Sequence, residues 1–434
     1  MPQSLTRRGF LAGAAGAGIA LGLPQGKASE TILGANEKIV VAMLGTGGRG
    51  TDLSKVLAGR SGVEIAYVCD VDKKRVERAA GIVSKQQPNR APKTATDFRK
   101  VLDDKSVDAV VVATCNHWHA PMAILACAAG KHVYVEKPCS HNPHEGEQMV
   151  VAARKHKRVV QMGNQRRSYP QMIETIARLR NGSAIGRVYH AQCWYTNVRP
   201  SIGKGQEMAP PAELDYALWQ GPAPHRPFHS NYLHYNWHWF WNWGNGELGN
   251  NGVHFLDLCR WGLGVDFPSA VTCSGGRYRY ADDQETPDTN IGTWQFKDGK
   301  SIAWEGYSCS KLPVGRFPDI LFHGENGTLA ISGDNYTTYD LKGKQTETIK
   351  GNGQDDAHQD NFLAAIRGSA KPNSEIEEGY KTTLLCHLGN IAYRTGHVLR
   401  CDPANGHILD DKQAMGLWKR EYEPGWESNI LAAL

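Results

Sequence analysis

Ile39-Val40-Val41-Ala42-Met43-Leu44-Gly45-Thr46-Gly47-Gly48-Arg49-Gly50 is the stretch on which the reading of this chain turns. Six apolar residues in a row suit a parallel strand buried on both faces. The glycines that follow repeat the spacing G-x-G-x-x-G, after which a helix can start. A second apolar run, Val63 to Cys69, delivers Asp70, 20 residues past Gly50. In that setting the first glycine makes a tight turn and the second lets backbone approach a pyrophosphate. The third lets helix pack on strand, with the pyrophosphate at the positive helix end. Gly45, Thr46, Gly47, Gly48, Arg49 and Gly50 are therefore candidate cradle residues. Asp70 is placed to accept hydrogen bonds from both adenosine ribose hydroxyls. Its carboxylate repels a 2′-phosphate, which favours NAD over NADP. The glycine spacing alone carries little weight in a chain with 47 glycines; the flanking strand and Asp70 supply it.

Outward from this loop, residues 36–158 alternate short apolar runs with helical stretches, the pattern of a parallel sheet covered on both faces. Val107 to Thr114, His132 to Glu136 and Val159 to Met162 read as further strands. Pro121 is expected to open a helix running towards Ala129, and another is expected at 143–156. Polar residues collect after the strand ends: Thr114, Asn116 and His119, then Glu136 and Lys137, then Asn164 and Gln165. In open α/β sheets ligands bind at the carboxyl ends of strands, so these groups should ring one crevice.

From about 187 the texture changes to strand-like runs without intervening helices: Val188 to Tyr195, Ala270 to Tyr280, Asn290 to Phe296, Ser301 to Tyr307 and Thr328 to Ile331. The expected fold class is α/β, a Rossmann parallel sheet followed by an α+β domain with a largely antiparallel open sheet. The division expected is 36–158 for nucleotide binding, 159–390 for substrate binding and oligomerisation, and a tail, 391–434, packing back on the body. A late helix is expected over 374–396. An open sheet face needs cover, which points to a homo-oligomer.

The first residues read differently. Ser4-Leu5-Thr6-Arg7-Arg8-Gly9-Phe10-Leu11 precedes a mild apolar stretch to Leu23, too short to span a bilayer. Twin arginines before a glycine- and alanine-rich apolar segment resemble a twin-arginine export signal over 1–28, which implies a periplasmic or otherwise exported protein. Its removal takes away Arg7, Arg8 and Lys27 and no acid, so the formal charge falls from +5 towards neutrality. That balance gives no case for nucleic acid, and no membrane anchor is expected after cleavage. Ten cysteines are scattered without a CxxC pair, so a zinc site is not expected and mostly buried free thiols are.

Glu136-Lys137-Pro138, placed after such a unit, carries a family resemblance. Together with the glycine loop, Asp70 and Thr114-Cys115-Asn116-His117-Trp118-His119-Ala120, it resembles the Gfo/Idh/MocA oxidoreductases, of the glucose–fructose oxidoreductase and inositol dehydrogenase kind. Leu384 to Arg394 is typical of one bacterial subgroup. The resemblance implies a lysine, Lys137, between nicotinamide and substrate, and a cis peptide before Pro138. An ammonium there can hydrogen-bond a sugar hydroxyl and stabilise developing alkoxide. Gly249-Asn250-Asn251-Gly252-Val253-His254 matches the stretch where the family usually carries Asp-x-x-x-His. His254 thereby inherits the role of general base, and residues 250 and 254 would share one helix face. The carboxylate position holds Asn250, whose amide can orient a hydroxyl but cannot accept a proton. Gln161 to Arg167 aligns with the family's wall between cofactor and substrate, nominating Gln165 and Arg166.

Trp237-His238-Trp239-Phe240-Trp241-Asn242-Trp243 holds four of the twelve tryptophans. Trp237 and Trp239 could stack on sugar faces, with Tyr232, His234 and His238 as polar neighbours, or the cluster could be core. The resemblance implies an NAD-dependent oxidoreductase acting on a sugar or glycoside hydroxyl. It equally implies a redox-neutral glycosidase that oxidises, eliminates, hydrates and reduces back; a non-catalytic sugar or NAD binder is a third reading. No metal is expected.

Overall fold

The computed structural model describes residues 38–313 and 317–434; the leader read at 1–28 lies outside them. Within Lys38–Leu434, which forms one compact unit, two sheets carry the chain. The first is built from β1 (Ile39–Leu44), β2 (Val63–Cys69), β3 (Lys93–Ala95), β4 (Ala109–Val112), β5 (His132–Val135) and β6 (Val160–Met162). All six are parallel, in the order β3-β2-β1-β4-β5-β6. The order reverses between β1 and β4, and there the strand ends open a crevice.

Helices cover both faces, as the apolar strands require. On one face lie α1 (Gly48–Ala58) and α2 (Lys73–Gln86). Their Leu53, Leu57, Ala79 and Val83 pack with Val41, Met43 and Tyr134. On the other lie α3 (Phe98–Asp103), α4 (Asn116–Ala128) and α5 (Pro143–Lys155). Helix α4 starts at Asn116, not at Pro121. Proline has no N–H for the carbonyl four residues back, and here that carbonyl, of His117, accepts from Arg420 Nη2 at 2.7 Å. The helix tolerates the proline because a distant arginine completes it.

After α6 (Pro170–Arg180) comes the second sheet, of eleven strands: β7 (Val188–Val198), β8 (Ala270–Gly276), β9 (Thr289–Gln295), β10 (Ser301–Tyr307), β11 (Cys309–Ser310), β12 (Ile320–Gly324), β13 (Gly327–Ser332), β14 (Asn335–Tyr339), β15 (Gln345–Ile349), β16 (Leu399–Cys401) and β17 (Ile408–Leu409). The pairing is antiparallel except between β7 and β10, which run parallel. Ser301-Ile302-Ala303-Trp304 shows the alternation that drives it: Ile302 and Trp304 are fully buried while their neighbours are not. Helices α8 (Val253–Leu263) and α10 (Ile376–Thr395) lie against the buried side. The opposite side carries polar cross-strand pairs, such as Thr272 with Thr293 and Gln192 with Glu305.

Of the remaining helices, α7 (Tyr216–Gln220) and α11 (Lys412–Met415) are short. Helix α9 (Asp355–Ile366) returns to the first sheet, where Phe362 and Leu363 join the core beside Tyr134. Helix α12 (Trp426–Ala433) returns to the other face, where Trp426 meets Trp118 edge-on at 4.9 Å. All ten cysteines are unpaired and eight are buried. Among the described residues no helix is long and apolar enough to cross a membrane.

Candidate active site

A cavity of about 580 Å³ opens at the crevice where the strand order reverses. Its inner end is the glycine loop between β1 and α1. Gly45 holds φ +87°, a left-handed conformation that glycine alone adopts without strain. A Cβ on Gly47 would meet Arg75 Nη1 at 2.9 Å, whereas one on Gly48 would meet nothing. A Cβ on Gly50 would be driven into the Gly45 carbonyl oxygen, so this glycine is required for the helix to pack. Gly45, Gly47, Gly48 and Arg49 line the cavity; Thr46 and Gly50 do not. Thr46 is fully buried and acts indirectly: its backbone N–H and hydroxyl donate to Asp70 Oδ2 at 2.7 and 3.1 Å. Asp70 is thereby aimed, and it lines the cavity together with Asp72 and Arg75.

Residues 211–221 form a strap over this end. Leu214 bridges to Asp72, Asp215 N–H donates to the Val71 carbonyl at 3.0 Å, and Glu213 pairs with Lys74. The Trp118 indole donates to the Trp219 carbonyl at 2.9 Å. Leu214, Leu218 and Trp219 close the wall. None of the strap was legible in the sequence, since each contact joins residues more than a hundred positions apart.

At the middle of the cavity stand Thr114, Asn116, His119, Glu136, Lys137 and Gln165, the groups that follow β4, β5 and β6. Glu136 is buried and accepts from Arg49 Nε at 2.8 Å. The ring nitrogens of His119 lie 2.6 Å from the Pro138 carbonyl oxygen and 3.1 Å from that of Thr114. His119 thus fixes the turn around the cis Lys137–Pro138 peptide. Lys137 Nζ donates to the Asn250 carbonyl at 2.6 Å and to Asn250 Oδ1 at 3.1 Å. Among the described residues no carboxylate reaches it. Burial lowers its pKa below the ordinary lysine value, and the fields of Glu136 and Glu247 oppose that only in part.

Asn250 can take this position because Leu248–Gly252 is a π-helical turn that leads into α8. The expected single α-helical face for residues 250 and 254 is therefore not formed. Asn250 lines the cavity; His254 does not, and it has no hydrogen-bond partner among the described residues. It lies close enough that burial, with the charges of Lys137, Arg166 and Arg49, holds its imidazole well below the usual range. Two further candidates also stand off the wall. Arg166 donates to the Gly333 carbonyl, and Trp239 is buried beneath the Arg199 guanidinium, 4.8 Å away. Trp237 does line the cavity, with His234, Tyr235 and His238 beside it, while Tyr232 packs in the aromatic core against Trp243. Asp257, three residues past His254, is fixed in a buried ion pair with Arg167 at 2.9 Å. Among the described residues no group of histidines, cysteines and acids is placed to hold a metal.

The residues present fit a dinucleotide. The unblocked glycine loop at the start of α1 can take a pyrophosphate, and the aimed Asp70 can take a ribose. The comparisons agree. The family model described as "Oxidoreductase family, NAD-binding Rossmann fold" matches residues 39–164, and that described as "Oxidoreductase family, C-terminal alpha/beta domain" matches 200–428. The chain belongs to this oxidoreductase family, Gfo/Idh/MocA, and its cofactor is NAD.

Among curated relatives, an alpha-N-acetylgalactosaminidase of Shewanella oneidensis is 31% identical over 163 residues, 37% of this chain and 35% of that protein. A glycosyl hydrolase family 109 protein of Saccharopolyspora erythraea is 34% identical over 158 residues, 36% and 34% of the two chains. The alignments thus span about a third of those relatives. Among solved structures, a levoglucosan dehydrogenase with NADH and levoglucosan aligns with TM-score 0.65 at 18% identity, covering 84% of this chain and 99% of that one. The WlbA dehydrogenase of Bordetella pertussis, with NADH and UDP-GlcNAcA, aligns with TM-score 0.63 at 20% identity and the same coverage. These structures share the fold.

Proposed function

We propose that this protein acts on a hydroxyl of a sugar or glycoside, using NAD held in the crevice and Lys137 as the group that handles the hydroxyl proton. The observation that carries the reading is the setting of Lys137 Nζ. It stands on the cavity wall, pinned by two oxygens of Asn250, with its pKa lowered by burial and, among the described residues, no carboxylate in contact.

Bound at the glycine loop and Asp70, NAD supplies a hydride acceptor. The protein's own residues do the rest. Asn250 orients the Nζ lone pair and hydrogens, and the lowered pKa lets a neutral amine form at lower pH than in an ordinary lysine. That amine can take the proton from a substrate hydroxyl and later return it. His119 and Glu136 hold the backbone and loop on either side. Trp237 offers an apolar face for a sugar ring. His254 serves, on this reading, as a neutral neighbour.

A second reading, redox-neutral hydrolysis of a glycoside, is favoured by the relatives named as glycosyl hydrolases. It is also favoured by the strap over the nucleotide end, which suits a cofactor that stays in place. One assay separates the two. The protein is purified without added NAD, its cofactor content read by absorbance, and nitrophenyl glycosides offered. Sustained nitrophenol release without added NAD supports hydrolysis; NADH formation only with added NAD and sugar supports net oxidation. Neither activity over a broad panel would overturn both and leave a binding protein.

We further propose export by the twin-arginine route and a homo-oligomer formed through the uncovered face of the second sheet. Arg7-Arg8 ahead of the apolar stretch supports the first. Exposed Ile291, with partly exposed Tyr307 and Leu321 on the same face, supports the second. Cell fractionation with Arg7-Arg8→Lys-Lys, and light scattering of the purified protein, test them.

A further inference from the structure

The turn Tyr235–Trp239 is held more firmly than a substrate-facing loop needs to be. Asn236–Trp239 forms one 3-10 turn. The Trp239 carbonyl accepts from Glu285 N–H at 3.0 Å and Thr286 N–H at 3.2 Å, and Trp241 N–H donates to Glu285 Oε2 at 2.7 Å. On this frame the His238 ring stacks on Trp237 with centroids 3.6 Å apart. His238 Nδ1 lies 2.6 Å from the Tyr235 carbonyl oxygen. A carbonyl only accepts, so Nδ1 carries the proton and Nε2 presents a lone pair. Among the described residues nothing donates to that nitrogen.

The Tyr235 hydroxyl accepts from Arg199 Nη1 at 3.1 Å and lies 3.5 Å from Asn250 Nδ2. Its own hydrogen is left to donate. Arg199 is fixed in turn by a bidentate pair with the buried Glu247, at 2.6 and 3.1 Å. The same Asn250 whose oxygens hold Lys137 thus sits beside the Tyr235 hydroxyl. All four side chains line one cavity: an amine at Lys137, an amide at Asn250, a donor at Tyr235 and an acceptor at His238.

We propose that the Tyr235–His238 turn reads a vicinal diol. His238 Nε2 accepts from the hydroxyl adjacent to the one held by Lys137, and Tyr235 donates to the same pair, so His238 is the specificity-determining residue of this site. Burial holds His238 at a pKa of about 3, so it remains a neutral acceptor throughout the neutral range. The inference rests on the sugar reading above and deepens it, because neither the glycine loop nor Lys137 distinguishes one polyol from another.

The test needs no knowledge of the natural glycoside. The nitrophenyl glycoside turned over or bound best by the wild-type protein is compared with its monodeoxy analogues. Wild type is expected to reject one analogue by about 100-fold or more in kcat/KM, because a polar partner on the cavity wall is left without its hydrogen bond. His238→Phe, which keeps the ring stack but has no acceptor, should bring that ratio to within a few-fold, chiefly through KM. His238→Gln, which returns an acceptor at the same reach, should recover part of it. NAD content and melting temperature, measured on each variant, show whether the fold is intact. A wild-type protein indifferent to every single deoxygenation overturns the inference without recourse to any variant. So does a folded His238→Phe that discriminates as sharply as wild type. If no glycoside is bound or turned over by wild type, the sugar reading itself falls, and this inference with it.

Discussion

Lys137 and Asn250 decide the acid–base character of the crevice between them. A carboxylate at 250 would favour the charged amine; the amide found there supplies two acceptors but no negative charge. Burial is left as the larger influence, and it lowers the lysine pKa. The neutral, proton-accepting amine grows in as pH rises through that lowered value, so activity should rise on the acid limb at a pH below the ordinary lysine range. Asn250→Asp should move this limb upward by about one pH unit or more, read from the pH profile of kcat/KM. A limb that stays in place would remove Lys137 from the proton transfer. Lys137→Met should lower kcat/KM by about 10²–10⁴-fold with NAD content unchanged by absorbance; loss of NAD in the same variant would make the residue a cofactor ligand instead.

Among the elements, the glycine loop and α4 show how far local sequence reaches. The loop was legible because strand, glycines and Asp70 are close in sequence and each spacing has a steric cause. Gly50→Ala should cost about 1–3 kcal/mol of stability and release NAD, since its Cβ would strike the Gly45 carbonyl. Gly48→Ala should leave the melting temperature in place. Equal losses in thermal melts of the two variants would contradict that distinction. Helix α4 was misread at its start because proline is a first-turn residue by local rules, and the arginine that relieves it lies about three hundred positions away. Arg420 also pairs with the fully buried Glu145 at 2.5 Å. Arg420→Ala should therefore cost about 3–5 kcal/mol by leaving that carboxylate unpaired, measured by urea unfolding. The π-turn at Leu248–Gly252 also escaped a periodicity argument, which assumes about 3.6 residues per turn. Its wider winding breaks the α-helical phase, and Asn250 reaches the wall without His254.

At the scale of the whole molecule, several histidines are buried as neutral groups. Burial holds His117 and His387 at about 3 and His358 at about 4. In the unfolded chain each would titrate near 6.5. Between those values the unfolded state binds more protons than the folded one, so stability rises with pH there and falls as the solution is acidified. Each histidine contributes about 1.4 kcal/mol per pH unit at most. The urea midpoint should drop steadily from pH 7 to pH 5; a flat response over that range would mean these rings take up protons as readily in the folded state as in the unfolded one. The fold class was legible from periodicity, for both sheets. The site was legible where it follows strand ends, as with Lys137, Asp70 and Gln165. Arg166 and Trp239 do not line the cavity; sequence gives the neighbourhood of a crevice but not which way a side chain turns on leaving its strand or loop.

The first sheet is finished by segments encoded far beyond it. Phe362 and Leu363 of α9 fill one of its faces, Trp426 of α12 meets Trp118 on the other, and Arg420 supplies the donor that α4 lacks. During synthesis the nucleotide-binding half therefore leaves the ribosome with both faces only partly covered and one helix short of a hydrogen bond. It can reach its final packing only after α12 has been added. Vectorial translation and folding are out of step in this chain: the domain encoded first waits on segments encoded after the second sheet, and a polypeptide cut before Trp426 loses part of its N-terminal core.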